Sequence, residues 1–204
     1  MQKFVITIGR EYGSGGVMIA YMLSQKLGIP MYDKKMVTLA SQASGLPEEV
    51  VAEYEQKRSS SFLYSLYMST QQLPLQDQIF IAQSNVIKDL AKKESCIILG
   101  RCADHILRGE ARCFNVFIHA PINERVERVK NEYKIEVKDI EKYISKKDRE
   151  RSDFYNYNSH TKWGDSRNYH LVINSTVGLD VTAETIKCAA LGMFSNGENA
   201  EKKM

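Results

Sequence analysis

Gly13-Ser-Gly-Gly16 stands directly between an apolar run, Phe4-Val-Ile-Thr-Ile8, and a helical pattern, Val17 to Leu27. Its residue types suit one kind of chemistry, the holding of a phosphate. A strand, a glycine-rich turn and a helix aim backbone N–H groups and a helix N-terminus at one anion. Glycine adopts positive φ there at little cost and lets the backbone approach the phosphate closely. The usual phosphate loop follows its last glycine with lysine and then a hydroxyl residue. Here Gly16 holds the lysine position, and Val17 and Met18 follow it. A tight turn that serves only strand–helix packing therefore stands beside the phosphate cradle as an alternative.

Other residues that could act lie at the ends of further apolar runs. Asp33 follows Met31-Tyr32 and Arg101 and Asp104 follow Cys96-Ile-Ile-Leu-Gly100. Open α/β sheets bind ligands at such carboxyl ends. Asp33 also suits an N-cap for the helical residues 34–40, and the two roles are compatible. Lys146, Lys147, Arg149 and Arg151 gather within two turns of a charge-dense stretch, 124–151. A solvated helix face with i,i+4 pairs is the plain reading of that stretch.

These residues need a scaffold, and the patterning predicts one. Short buried strands are expected at 4–8, 31–33, 96–100, 114–120 and 170–175. Helices are expected after the glycine turn, over 76–93, from Pro121 onward, over 135–151 and over 178–191. Strands alternating with helices argue for a parallel sheet covered on both faces. Residues 45–75 are irregular, rich in hydroxyl and aromatic side chains, and are read as an inserted helical segment able to close over a ligand. Tyr155 to Trp163 is read as a polar loop, and 195–204 as a flexible tail.

Composition narrows the classes. The chain has 204 residues, enough for one domain with a sizeable core. Its net charge of +3 is too weak to argue for nucleic acid without a clustered basic patch. No apolar run reaches the length of a membrane span, and Met1-Gln-Lys leads straight into a strand. The four cysteines lack a Cys-x-x-Cys spacing, so buried thiols are expected rather than a zinc site or disulfides. No residue is assigned as a metal ligand. A cytoplasmic location is expected.

Taken together, Ile8-Gly-Arg-Glu-Tyr-Gly-Ser-Gly-Gly16, Ile29-Pro-Met-Tyr-Asp33, Ile98-Leu-Gly-Arg-Cys-Ala-Asp104, Val116-Phe-Ile-His-Ala-Pro121 and Lys162-Trp-Gly-Asp165 resemble the cytidylate kinase-like branch of the P-loop nucleoside monophosphate kinases. The resemblance runs from Ile6 to about Leu191. It implies a three-layer α/β fold in residues 1–194, with a central parallel sheet, an acceptor-binding insert at 45–75 and a basic lid at 135–165. It implies ATP with Mg²⁺ as cofactors and a nucleoside monophosphate such as CMP or dCMP as acceptor, with neither nucleic acid nor membrane as partner. Gly13, Ser14, Gly15 and Gly16 would bind the ATP phosphates. Arg101 would grip the acceptor phosphate, beside Asp33, Asp104 and Asp148 as further acceptor contacts. Arg149 and Arg151 would close over the transferring group.

Three departures stand out. Cys102 replaces the aspartate that follows the arginine in the Gly-Arg-Asp motif of cytidylate kinases, and Asp104 is its possible stand-in. The loop lysine of those enzymes is Gly16 here, and Val17 stands where the branch usually has arginine. Losing one preorganised charge contact typically costs ~10²–10³-fold in rate. A kinase then needs a substitute cation, with Arg10 the first candidate and Lys147 or Arg149 the second. Two other functions stay open: a nucleotide-binding regulatory protein that has lost turnover, and a kinase of a non-nucleotide small molecule. Oligomeric state is not legible.

Overall fold

The computed structural model describes residues 2–33, 35–56, 74–109 and 112–201. Among them five strands form one parallel sheet: β1 (Val5–Arg10), β2 (Met31–Tyr32), β3 (Cys96–Leu99), β4 (Cys113–His119) and β5 (Leu171–Asn174). Their spatial order is β2-β3-β1-β4-β5. The chain leaves the central β1 toward one edge, fills in β3, and then crosses to the other side. Such a change of direction opens a crevice at the carboxyl ends of the central strands.

Period-2 alternation assigns the two faces. Phe4, Ile6 and Ile8 of the first strand segment point to one side with Ile97, Leu99, Val116 and Ile118. Helices α1 (Gly16–Leu27) and α8 (Leu179–Glu201) cover that side through Ile19, Leu23, Ala183, Ile186 and Phe194. Val5, Cys96 and Ile98 point the other way. There they meet α4 (Leu75–Lys93) and the short α5 (Ala103–Ile106). Two layers of helices around a sheet buried on both faces are what continuous apolar strands require.

The remaining helices are α2 (Lys35–Ser44), α3 (Glu48–Gln56), α6 (Ile122–Asn131) and α7 (Ile140–Ser159). Ala40, Leu46, Val51 and Ile79 build a small satellite core between α2, α3 and α4. The expected inserted segment at 45–75 thus begins with α3, and residues 57–73 lie outside the described residues. Gly28 ends α1 in the left-handed conformation, as the Gly-x-Pro pattern predicts.

Two boundaries differ from expectation. Tyr155 and Tyr157 belong to α7 rather than to a polar loop, because Asp139 caps a helix that runs unbroken to Ser159. Positions 144, 148, 151 and 155 form one i, i+4, i+7, i+11 stripe on it, and polar residues at two of these hid its inward face. At the other end, α8 continues to Glu201, where a tail was expected from Ser195. Near that end Phe194 packs into the core, its ring 4.7 Å from that of Phe4. Arg112 fixes the same point by donating to the Phe194 carbonyl at 2.7 Å. Residues 202–204 lie outside the described residues.

Candidate active site

The glycine turn has the geometry of an anion cradle. Gly13 and Gly15 take φ of 81° and 79°, and Gly15 is the N-cap of α1, which has no side-chain cap hydrogen bond. A 12-residue helix therefore begins on backbone alone, with its partial positive charge at the turn. Ser14 is buried and ties the turn shut by donating its Oγ to the Glu11 carbonyl at 2.9 Å. Its own carbonyl accepts from Ser175 Oγ at 2.7 Å, joining the turn to the end of β5.

Arg10, the last residue of β1, runs beneath this turn. A Cβ built at Gly16 would lie 2.8 Å from both Cβ and Cγ of Arg10, and one built at Gly100 would overlap its Nη1. The guanidinium ends near Asp33, with Nη2 3.6 Å from Oδ1. Arg101 reaches the same oxygen, Nη1 to Oδ1 at 3.5 Å, and donates to the Leu99 carbonyl at 3.2 Å. Only 14% of the Arg10 side chain and 11% of that of Arg101 are exposed, so both charges are held in place rather than waving in solvent. Gly100, Arg101 and Cys102 all have positive φ, a sharp turn that swings Arg101 back over the end of β3.

These side chains line a cavity of about 580 Å³ at the carboxyl ends of β1 and β3. Asp33, Thr38, Glu48 and Ala52 contribute to its lining, as do the aromatic rings of Phe154, Tyr155, Trp163 and Tyr169. Asp104 lies at this aromatic end, buried, and accepts the Tyr155 hydroxyl on Oδ2 at 2.7 Å. Burial raises its carboxyl above the usual range, an effect partly offset by the hydrogen bond from Tyr155. Cys102 is buried against the same helix, where burial pushes its thiol up out of the range of reactive thiolates. It therefore does not replace an aspartate chemically.

α7 splits the expected lid residues into three roles. Arg151 lines the cavity, donates to the Arg10 carbonyl at 2.9 Å and lies over the Tyr12 ring at 5.3 Å. Burial lowers its proton affinity, yet a guanidinium stays charged in a protein. Asp148, expected among the acceptor contacts, instead faces the loop. It accepts the Tyr12 N–H at 2.6 Å and pairs with Arg125. Arg149, two positions on the solvent side of that stripe, is exposed and does not line the cavity. Of the expected site residues the structure thus brings Arg10, Asp33, Arg101, Asp104 and Arg151 to one cavity. Gly13 to Gly16 lie outside its lining, with Gly16 against Arg10, Asp148 is a clamp, and Arg149 is not among the lining residues.

Several residues near the loop were missed. Arg125 donates to the Tyr12 carbonyl at 3.3 Å, and Arg128 donates to the Gly13 carbonyl at 2.7 Å. Glu11 accepts the Ala120 N–H at 3.1 Å and lies 3.6 Å from Arg125 Nε. The signal available was their place in the first two turns after a strand's carboxyl end. It was masked by the surrounding run of charges, which reads as a solvated face.

The sequence model of the cytidylate kinase-like family matches residues 5–177. The chain belongs to the cytidylate kinase-like family. An uncharacterized protein from Eubacterium ventriosum ATCC 27560 has a crystal structure similar to this family member, with 28% identity and a TM-score of 0.67, covering 92% of this chain and 98% of that one. A gluconokinase from Sinorhizobium meliloti 1021 shares the fold at 11% identity and TM-score 0.62, over 98% of this chain and 99% of its own. A shikimate kinase from Acinetobacter baumannii, in complex with shikimate, shares it at 13% identity and TM-score 0.53, over 96% and 95%. No protein of curated function matches the sequence. The fold of this cytidylate kinase-like chain is that of the P-loop kinases, and its family supports phosphoryl transfer as the class of reaction. No helix among the described residues is long and apolar enough to cross a membrane.

Proposed function

We propose that this protein transfers the γ-phosphoryl group of ATP to a small phosphorylated acceptor, a nucleoside monophosphate and most simply CMP or dCMP. The observation that carries the reading is the convergence of Arg10, Arg101 and Arg151 on one cavity beside a helix that begins on a glycine cradle. In the reaction the bond from the γ-phosphorus to the bridging oxygen of ADP breaks. A bond forms from that phosphorus to an oxygen of the acceptor phosphate, and ADP leaves. The acceptor oxygen is already ionised, so the step requires positioning and charge neutralisation rather than a general base.

Gly13 to Gly16 hold the ATP phosphates, Arg101 holds the acceptor phosphate, and Arg151 reaches the transferring group from α7. Asp33 orients the acceptor and keeps Arg10 and Arg101 facing it. Asp104 contacts the acceptor at the aromatic end of the cavity. Mg²⁺, usually carried on the nucleotide phosphates and water with few protein ligands, would neutralise phosphate charge when bound. Cytoplasmic function belongs to the same proposal.

ADP release from Mg·ATP, assayed with CMP, dCMP, UMP, AMP and GMP in turn, tests the reading. Acceptor-dependent release with CMP or dCMP is expected, falling ~10²-fold or more in Arg101→Ala. Thermal stabilisation by ATP with no product from any acceptor would instead identify a nucleotide-binding regulatory protein. Turnover confined to a non-nucleotide acceptor would replace the substrate class.

A further inference from the structure

Gly16 is the glycine of the loop whose backbone makes no demand for glycine. Gly13 and Gly15 have positive φ, whereas Gly16 is the first residue of α1 and does not. A side chain at position 16 is therefore conformationally ordinary, and only space opposes it. The obstacle is Arg10: a Cβ at residue 16 would meet its Cβ and Cγ at 2.8 Å, atoms next to the backbone of a buried strand. A side chain's far end can swing away from such a contact, but its root cannot. At its other end the same arginine packs against Gly100, whose φ of 68° favours glycine and whose built Cβ would overlap Nη1.

Resting on the kinase reading above, we infer that Gly16 is the steric counterpart of Arg10, and that the pair moves the loop's cation from the start of α1 to the end of β1. A lysine at position 16 and an arginine at position 10 are mutually exclusive solutions to one requirement. The arginine solution differs in where the charge lands. Its guanidinium lies beyond the cradle, beside Asp33 and Arg101, on the wall of the acceptor cavity. Arg10 thereby faces the phosphoryl group in transit between the two phosphate sites, and it presents a planar fork rather than a point charge. The missing lysine is on this account a relocation and not a loss of function.

Four proteins test the exchange: the wild type, Arg10→Gly, Gly16→Lys and the double variant Arg10→Gly/Gly16→Lys, because only glycine at position 10 removes both Cβ and Cγ from the contact. Turnover is expected to fall ~10²–10³-fold in Arg10→Gly. Gly16→Lys alone is expected to lower it too, although it restores the usual loop residue. The double variant is expected to recover to within about tenfold of wild type, since the new lysine supplies the same charge. Wild-type turnover in Gly16→Lys, or a double variant no better than Arg10→Gly, would overturn the inference.

A second readout needs no activity. Gly16→Ala should lower Tm by roughly 3–10 °C through overpacking, and that loss should vanish in an Arg10→Gly background, which removes both contacting atoms. Additive Tm changes would overturn the steric pairing by itself. A wild type that turns over no acceptor would overturn the kinase reading and Arg10's part in transfer, whatever the Tm cycle gives. The two failures are thus told apart.

Discussion

The backbone N–H of Tyr12 donates to Asp148 Oδ1 at 2.6 Å, tying the middle of α7 to the glycine loop across 136 residues of chain. The second oxygen of the same carboxylate holds Arg125, whose Nη1 also reaches the Tyr12 carbonyl. Asp148 is only 17% exposed and Arg125 11%, so solvent and salt screen this cluster little.

Asp148→Ala leaves a backbone donor and a guanidinium without their acceptor in a poorly solvated place. Hydrogen bonds to charged groups contribute about 1.5–3 kcal/mol each, and the leftover donors add to the loss. A destabilisation of about 2–3 kcal/mol is expected in urea unfolding, with an unchanged m-value. A loss below about 0.5 kcal/mol would mean that the clamp is decorative.

Arg149 and Arg151 separate the two faces of α7. Arg151→Ala removes a cation from the cavity wall and from the Arg10 carbonyl, and is expected to reduce kcat/KM by ~10²-fold. Arg149→Ala changes an exposed position away from the cavity and is expected to stay within about threefold of wild type. Steady-state kinetics of the two variants side by side decides it. Equal losses would move the lid's working surface to the outer face of the helix.

Asp104 offers a test by pH. Burial raises its carboxyl pKa in the folded protein above the ordinary 3.8. The folded state therefore holds its proton more tightly than the unfolded chain. Stability from this group is fully present below pH 3.8 and is lost as pH rises through the higher folded value. Asp104→Asn keeps an acceptor for Tyr155 and carries no charge to bury. It is expected to be more stable than wild type near pH 7, on the order of 1 kcal/mol, while the difference disappears in acid. Thermal melts of both proteins from pH 3.5 to 7.5 measure it. A wild type that matches or exceeds Asp104→Asn at pH 7 would show that the ionised carboxylate is well satisfied where it lies.

The sheet, its two covered faces, the glycine turn and the placement of Asp33 and Arg101 at strand ends can all be read from the order of residue types along the chain. Those features follow from local rules: alternation along strands, 3.6-residue periodicity along helices and the backbone freedom of glycine. Tertiary structure decided what those rules do not address. Asp148 and Arg151 sit three residues apart in one charged run and share one face of α7, yet one clamps the loop and the other lines the cavity, because each meets a different neighbour brought there from far away in sequence. Arg125 and Arg128 reach the loop only because β4 lies beside β1 and delivers α6 there. The use of Gly16 was legible in neither composition nor spacing. It depends on the path of Arg10 between two glycines brought together by the pairing of β1 with β3.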